Sequence, residues 1–285
     1  MGVFQWMKRL FLFAGYDSGG LAGPSLVYYC SRLREAGDVV IRFDNDCNQE
    51  ELDRLRPFVL HAEAGRHGEY DFGSYKRAMD WALKNLEVGV YDWIYLVNDS
   101  VFGPVSDIAA PLERMENLGT DVTGLAYNPH RRNPHLQSWF IGLRKDFFTS
   151  DLFRNFIKGV ERVQSKEEVC IRYEEGFTRM LIENGVSFSG LCKASGKDIY
   201  NKPLEIIRKG IPFIKKSSFT RHNGCLGREL RMALGKTDPA LVAAVQADLD
   251  RINGAGFFKH LVSGGYSTML IRYFNYLAQK CINIT

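Results

Sequence analysis

The first 145 residues alternate between short apolar runs and stretches whose apolar positions recur at helical spacing. The apolar runs predict buried strands, and the stretches between them predict helices. One helix opens at Pro24 and ends before Gly37, and another covers residues 74–86. This alternation is typical of a parallel sheet with right-handed crossovers. The four predicted strands are residues 10–14, 39–43, 58–62 and 93–97.

The second half of the chain is less regular. It contains two further apolar runs with strand character and two long stretches with helical spacing. The strands are residues 121–127 and 138–143, and the helices are residues 151–163 and 167–184. The predicted fold class is α/β: a Rossmann-type central, mostly parallel sheet flanked by helices, with a helical C-terminal tail.

A loop separates this domain from the tail. Residues 222–224, with the sequence His-Asn-Gly, indicate a turn, and helical spacing resumes near Asp238. We therefore predict one domain over residues 1–224. A helical extension over residues 225–285 would pack on the domain or contact a membrane or a partner.

Charge is divided unevenly between these parts. The 285 residues carry 37 Lys and Arg against 33 Asp and Glu, and the net charge of +4 is too small to indicate nucleic-acid binding. Residues 203–285 alone carry 12 basic and 5 acidic side chains, a net charge of +7. Basic and aromatic residues in one segment are typical of peripheral contact with an acidic membrane surface. Ordinary helix packing is the alternative.

Cysteines and apolar runs bear on location. The six cysteines form no CxxC pair, which argues against a zinc knuckle. The N-terminus does not have the pattern of a signal peptide, and no apolar run reaches the roughly 18 residues that span a bilayer. We expect reduced thiols in a cytoplasmic protein, with peripheral attachment to the inner face of the cell membrane left open.

Ligands of parallel α/β sheets bind beyond the carboxyl ends of the strands. Tyr16 and Asp17 follow the first predicted strand, Asp44 follows the second, and Asn98 and Asp99 follow the fourth. Mg²⁺ or Mn²⁺ needs only one or two protein carboxylates when phosphates supply the other ligands, so Asp99 is a candidate metal ligand. Capping of the next segment is the alternative for this aspartate.

A glycine-containing loop precedes the helix at residues 74–86. Its glycines, including Gly73, allow close backbone approach, and a helix N-terminus favours an anion. Arg66 and Lys76 add positive charge, and Asp71 is either a ligand contact or a helix cap. The loop is not GxGxxG, and the chain contains no GxxxxGK[ST], which disfavours a dinucleotide oxidoreductase and a P-loop ATPase.

Two later segments carry candidate pocket residues. His135, Gln137 and Ser138 can hydrogen-bond hydroxyl groups, and Trp139 can stack on a sugar face or belong to the core. Glu174 and Glu175 point about 100° apart on a helix, so at most one faces a given site. A carboxylate general base must reach the proton that it abstracts, and a solvated helix face is the alternative.

In this order the segments resemble the rhamnan synthesis protein F family of bacterial glycosyltransferases. The resemblance covers roughly residues 8–220. Its segments are the Leu10–Phe13 run, Tyr-Asp-Phe-Gly at 70–73, Asn98–Pro104, His135–Phe140, Tyr-Glu at 173–174 with Gly176 and Thr178, and Pro-Phe-Ile-Lys at 212–215.

The resemblance implies a GT-A-like fold, a nucleotide-sugar donor and transfer to a growing surface glycan. It implies a divalent cation, Mn or Mg, held by an Asp-x-Asp motif, of which only Asp99 is present here. By similarity to inverting members, the base would be Glu174, with Glu175 as second choice. Donor contacts would come from Tyr16, Asp17, Asp44, Arg66, Asp71, Gly73, Lys76, Asn98 and Asp99, and the acceptor or sugar pocket from His135, Gln137, Ser138 and Trp139.

The leading hypothesis is therefore an inverting glycosyltransferase of O-antigen or capsule assembly. Its donor would be dTDP-L-rhamnose, a UDP-hexose or UDP-galactofuranose, and its acceptor a glycan or a lipid-linked saccharide. The alternative is a non-catalytic glycan- or nucleotide-binding scaffold of a polysaccharide assembly complex. A homo-oligomer is left open by the sequence.

Overall fold

The computed structural model of the protein describes residues 7–282, with side chains described through residue 279. Its strands are β1 (Arg9–Gly15), β2 (Asp38–Phe43), β3 (His61–Ala64), β4 (Trp93–Asn98), β5 (Val101–Phe102), β6 (Val122–Asn128), β7 (His135–Leu136), β8 (Phe140–Arg144), β9 (Phe188–Lys193) and β10 (Ile214–Lys215). The first seven α-helices are α1 (Pro24–Ala36), α2 (Gln49–Asp53), α3 (Tyr70–Asn85), α4 (Ala109–Glu116), α5 (Lys145–Thr149), α6 (Asp151–Lys158) and α7 (Lys166–Val169).

A π-helical turn, Cys170–Glu175, joins α7 to α8 (Gly176–Glu183). The remaining helices are α9 (Asp198–Asn201), α10 (Pro203–Arg208), α11 (Gly227–Leu234), α12 (Pro239–Asn253), α13 (Phe257–Val262) and α14 (Tyr266–Ile282). Short 3₁₀ turns lie at Val88–Val90, Lys216–Phe219 and Arg221–Gly224.

The central sheet has the strand order β3-β2-β1-β4-β8-β6-β7, and β9 pairs with β6. Strands β1 to β4 pair in parallel, as do β6 and β9. Strand β8 runs antiparallel to both of its neighbours, β4 and β6. The predicted fold class, a GT-A-like and mostly parallel sheet flanked by helices with a helical C-terminal part, is confirmed.

The apolar runs become the buried middle of this sheet. Strands β1 and β4 carry side chains that are almost completely buried. Helix α3 covers them with one apolar face, in which Phe72, Tyr75 and Met79 recur at helical spacing. Because both faces of the parallel strands are covered, these strands are continuously apolar rather than alternating.

Four predicted boundaries are corrected by the structure, and one of them is the helix predicted over residues 151–163, which ends at Lys158. The third strand is His61–Ala64 rather than residues 58–62, because its pairing with Val40–Phe43 starts at His61. Helix α3 begins at Tyr70, four residues before the predicted start. The run predicted at residues 138–143 becomes β8, which starts at Phe140.

The chain divides into two compact units. The first contains the described residues up to Ala22, Cys30–Asp99 and Ile108–Lys193, and thus the central sheet. The second contains Gly23–Tyr29, Ser100–Asp107 and the residues from Ala194 onward. In the second unit, Ile214 and Phe219 share one apolar cluster with residues of α11 to α13. The units divide at other points than residue 224, and the boundary predicted there stays a prediction.

Helix α12 begins where the sequence predicts, with the carboxylate of Asp238 accepting a hydrogen bond from the Ala240 amide. Across residues 7–282, no helix combines the length and the apolar character needed to cross a membrane.

Candidate functional site

The carboxyl edge of the first unit's sheet gathers the polar residues that the sequence places after strands. Asp44 follows β2, and Asp99 follows β4. Strand β8 is antiparallel, and its first residue, Phe140, pairs with Val97 near the end of β4. The residues just before β8 therefore reach the same edge, and the Asn98 amide donates to the Trp139 carbonyl at 3.2 Å.

Asn98 and Asp99 close the central strand. Asn98 is 2% exposed, and its side-chain amide donates to the Asp71 carboxylate at 2.8 Å. Asp99 is half-buried, and its carboxylate accepts a hydrogen bond from the Tyr16 amide at 3.3 Å. The loops after β1 and β4 and the first turn of α3 are thereby joined in one polar cluster.

A second cluster is centred on Glu174, in the π-helical turn. Its Oε2 accepts the Ser138 hydroxyl at 2.5 Å and the Ser138 amide at 3.4 Å. Its Oε1 lies 3.3 Å from Nε2 of His135. The side chain remains 23% exposed, so solvent or a ligand can reach it. Single π-helical turns are rare in proteins, and those that occur often lie at functional sites.

The charge of His135 is set by this cluster. Burial lowers the pKa of the imidazole, but the hydrogen bond to Glu174, the Asn133 carbonyl and the charges of Glu174 and Glu175 together raise it above its ordinary value. Nδ1 lies 2.8 Å from the Asn133 carbonyl oxygen, which can only accept. Both ring nitrogens thus face acceptors, which favours the imidazolium form.

Cys170 connects the two clusters electrostatically. Burial raises the pKa of its thiol to about 11, and the charges of Glu174, Asp71 and Glu175 add to the effect. Asp71 and Glu174 therefore act on the same thiol, although they lie on different elements. Glu175 has one buried carboxylate oxygen, Oε2, without a hydrogen-bond partner among the described residues.

Asp44 holds the loop before α3. Its Oδ1 accepts the amides of His67 and Gly68, each at 2.7 Å, and its Oδ2 accepts the amide of Tyr70 at 3.1 Å. Tyr70 has a left-handed backbone with φ of 56°, which is unusual for a bulky side chain and marks local strain. Burial lowers the pKa of His67 to about 4, despite the opposing charge of Asp44.

Glu69 organises the start of α3. It pairs with Lys76 and with Arg77, each at 2.8 Å. Burial raises its pKa, but the bonds to Arg77 and Lys76 outweigh burial and hold the pKa at about 2. Lys76 also donates to the Val160 carbonyl at 2.5 Å. A Cβ on Gly73 would lie 2.3 Å from Cβ of Glu69, so this glycine makes room for a neighbouring side chain.

The other predicted residues have mixed surroundings. Asp17 caps its own loop by accepting the amides of Gly19 and Leu21 at 2.8 and 3.3 Å. Gln137 accepts the indole N–H of Trp139 at 3.0 Å. Trp139 is buried, which favours the core alternative for this residue. Tyr16 and Arg66 are exposed.

Sequence reasoning did not single out His67, Glu69 or Cys170. The loop sequence contains this histidine and this glutamate near basic residues, but the pairs that they form depend on where α3 begins. Cys170 lies four residues before Glu174, a spacing that puts two side chains on one helix face. This spacing is the feature of the sequence that could have pointed to Cys170.

A divalent cation at this edge of the sheet would have to be held by the side chains that lie there. Within the described ranges, no three His, Cys, Asp or Glu side chains lie close enough together to hold a metal ion. Asp99 supplies one carboxylate at the strand end. This donor set fits a cation whose other ligands come from phosphates or water.

The fold and the two clusters define an α/β protein with a polar site at the carboxyl edge of its sheet. The chain belongs to the rhamnan synthesis protein F family, whose family model matches residues 42–257, and the resemblance seen in the sequence is confirmed. Membership makes it a glycosyltransferase of the class that uses nucleotide-sugar donors in cell-surface polysaccharide synthesis.

Several solved structures are remotely similar. A nucleotide-diphospho-sugar transferase from Desulfovibrio desulfuricans G20 has 16% identity, with 81% of this chain and 98% of that one covered and a TM-score of 0.42. Core-mannan synthase A from Aspergillus fumigatus, in a Mn/GDP form, has 11% identity and a TM-score of 0.39, with 70% of this chain and 75% of that one covered. S. aureus TarS has 14% identity and a TM-score of 0.37, with 90% of this chain and 55% of that one covered. No curated protein matches the chain in sequence.

Proposed function

We propose that this protein is an inverting glycosyltransferase with Glu174 as its catalytic base. The sugar comes from a dTDP-L-rhamnose, UDP-hexose or UDP-galactofuranose donor and goes to a growing O-antigen or capsule glycan, free or lipid-linked. The observation that carries the proposal is the Glu174 cluster at the carboxyl edge of the sheet, in a chain of this family.

The chemistry assigned to Glu174 is proton removal. Its carboxylate takes the proton of the acceptor hydroxyl while that oxygen attacks the anomeric carbon and the nucleoside diphosphate leaves. Ser138 and His135 hold both carboxylate oxygens, which fixes the orientation of the base. A base held in place before the substrate arrives does not have to be ordered during the reaction.

The donor is assigned to the strand-end cluster. Tyr16, Arg66, Asp71 and Asp99 are assigned direct contact, because their side chains are exposed or half-buried at this edge. Other predicted donor residues, namely Asp17, Asp44, Gly73, Lys76 and Asn98, are assigned the role of shaping the loops. Asp99 would hold a divalent cation, Mn or Mg, which when bound neutralises charge on the diphosphate.

The proposal is tested by incubating the protein with a panel of nucleotide sugars and a synthetic lipid-linked acceptor, with and without Mn²⁺. We expect release of nucleoside diphosphate and a glycosylated acceptor with at least one donor. A protein that binds a nucleotide sugar or glycan but transfers nothing across the panel would instead be the non-catalytic scaffold.

We further propose that the protein works on the cytoplasmic face of an anionic membrane, which it contacts through α14. Apart from Ile271, which is exposed on another side of the helix, five exposed apolar residues of α14 recur at spacings that put them on one face. They are Tyr266, Leu270, Tyr273, Phe274 and Leu277. No Asp or Glu occurs after Asp250, whereas four basic residues do, and this charge favours an acidic lipid surface.

Vesicle flotation tests this contact. We expect the protein to float with phosphatidylcholine–phosphatidylglycerol vesicles and not with phosphatidylcholine alone. Phe274→Ser should weaken flotation, whereas Ile252→Ser, at an equally exposed position on α12, should not. Equal recovery of both variants would refute the assignment. A mass that doubles with concentration and falls with Phe274→Ser would instead identify a second copy as the occupant.

A further inference from the structure

Two cations of the second unit converge on one aromatic ring. The ammonium of Lys215 lies 6.0 Å from the centre of the Tyr200 ring. The guanidinium carbon of Arg221 lies 4.7 Å from the same centre. Lys215 is only 8% exposed, and its ammonium donates to the Ser100 hydroxyl at 2.9 Å. Cations at such distances from a ring are held by its negative face.

Nearby carboxylates are used by other cations. Asp198 pairs with Lys202 at 2.9 Å, and Glu205 pairs with Lys209 at 2.7 Å. In the part of the chain that the structure describes, Arg221 has no carboxylate partner, although it is half-buried. A half-buried guanidinium retains its fork of N–H donors for an anion.

The turn after Arg221 is fixed in a strained form. His222 and Asn223 both have left-handed backbones, with φ of 51° and 53°. The His222 ring is held by the Asn201 side chain at 3.1 Å and by the edge of Tyr276, with ring centres 4.5 Å apart. Strain of this kind persists where the surroundings over-determine it, often at ligand sites.

We infer that the second unit carries a binding site for a diphosphate group, formed by Lys215 and Arg221 with Tyr200 as their platform. Guanidinium groups bind phosphate oxygens in bidentate fashion, and a lysine adds a point charge. Fixed cations can also stabilise a leaving diphosphate. The inference rests on the proposed function, which supplies two sources of this group: the nucleotide donor and a lipid-diphosphate acceptor.

Calorimetric titration tests the site without turnover. The probes are inorganic pyrophosphate, UDP, dTDP and farnesyl diphosphate, each added to the full chain. We expect Arg221→Gln to raise the Kd of at least one probe tenfold or more. Arg228→Gln, at an exposed position of the same unit, should leave every Kd unchanged. Arg221→Lys should restore part of the affinity.

The probes separate the sources. A loss confined to UDP or dTDP identifies the donor, and a loss confined to farnesyl diphosphate identifies the acceptor. Wild-type affinity for all probes in both Arg221→Gln and Lys215→Gln would overturn the inference, as would a wild-type protein that binds none of them. If Arg221→Gln loses pyrophosphate binding but no nucleotide sugar is ever consumed, the site stands and the proposed function fails.

Discussion

Replacement of Asp44 by Asn should destabilise the loop before α3 without removing a direct ligand contact. The carboxylate accepts three backbone N–H groups at 2.7, 2.7 and 3.1 Å. Bonds to a charged group contribute roughly 1.5–3 kcal/mol each. Asparagine keeps one carbonyl acceptor but loses the charge and the second oxygen. We therefore expect a loss of about 3 kcal/mol, because one N–H is left without an acceptor and the others are weakened.

Two measurements check this expectation. Thermal unfolding should show a Tm lower by about 6–12 °C, from roughly 2–4 °C per kcal/mol for a chain of this size. Amide exchange at residues 67–70 should accelerate in the variant. Asp46→Asn, at an exposed neighbouring position, is the control and should change neither quantity. An unchanged Tm with unchanged exchange, together with weaker nucleotide binding, would refute the reasoning and make Asp44 a ligand contact.

Two further predictions concern the same unit. Gly73→Ala should lower the free energy of unfolding, measured by chemical denaturation, by about 1–3 kcal/mol, because the new Cβ would lie 2.3 Å from Glu69. The control is Gly89→Ala, which should be nearly neutral because nothing lies within 4 Å of the added Cβ. Equal losses in the two variants would contradict the packing argument. The raised pKa of His135 should give the wild type stability that is full below about pH 6.5 and declines as pH rises through the folded-state pKa. The difference in Tm between the wild type and His135→Gln should become smaller as the pH rises from 6 to 9. A difference that stays constant would show that Glu174 does not hold the charged imidazole.

The sheet could be predicted where the sequence is continuously apolar. Strands β1 and β4 are buried on both faces, so their runs stand out. Strand β3 could not be bounded in this way, because all four of its residues are only partly buried or exposed and its limits are set by pairing with β2. The two-residue strand β7 likewise exists only through its pairing with β6.

The candidate site was predictable in location but less so in the role of each residue. Strand ends marked Asp44 and Asp99 as polar residues at one edge of the sheet. Whether an aspartate holds a loop or meets a ligand depends on which backbone N–H groups the fold brings to it, and Asp44 receives three. The link from Glu174 to Ser138 joins residues 36 apart, and local patterns do not encode such a contact.

The most direct test of the central claim is single-turnover sugar transfer by the Glu174→Gln variant, with the anomeric configuration of the product determined by NMR. Glu167→Gln, at an exposed position of α7, is the matched control. Loss of a positioned general base should slow transfer by roughly 10²–10⁴-fold. The variant should keep its affinity for the donor, and the product of the wild type should have the inverted anomeric configuration. Transfer by Glu174→Gln at the rate of the control, or a retained configuration in the product, would contradict the assignment of Glu174 as the base of an inverting glycosyltransferase.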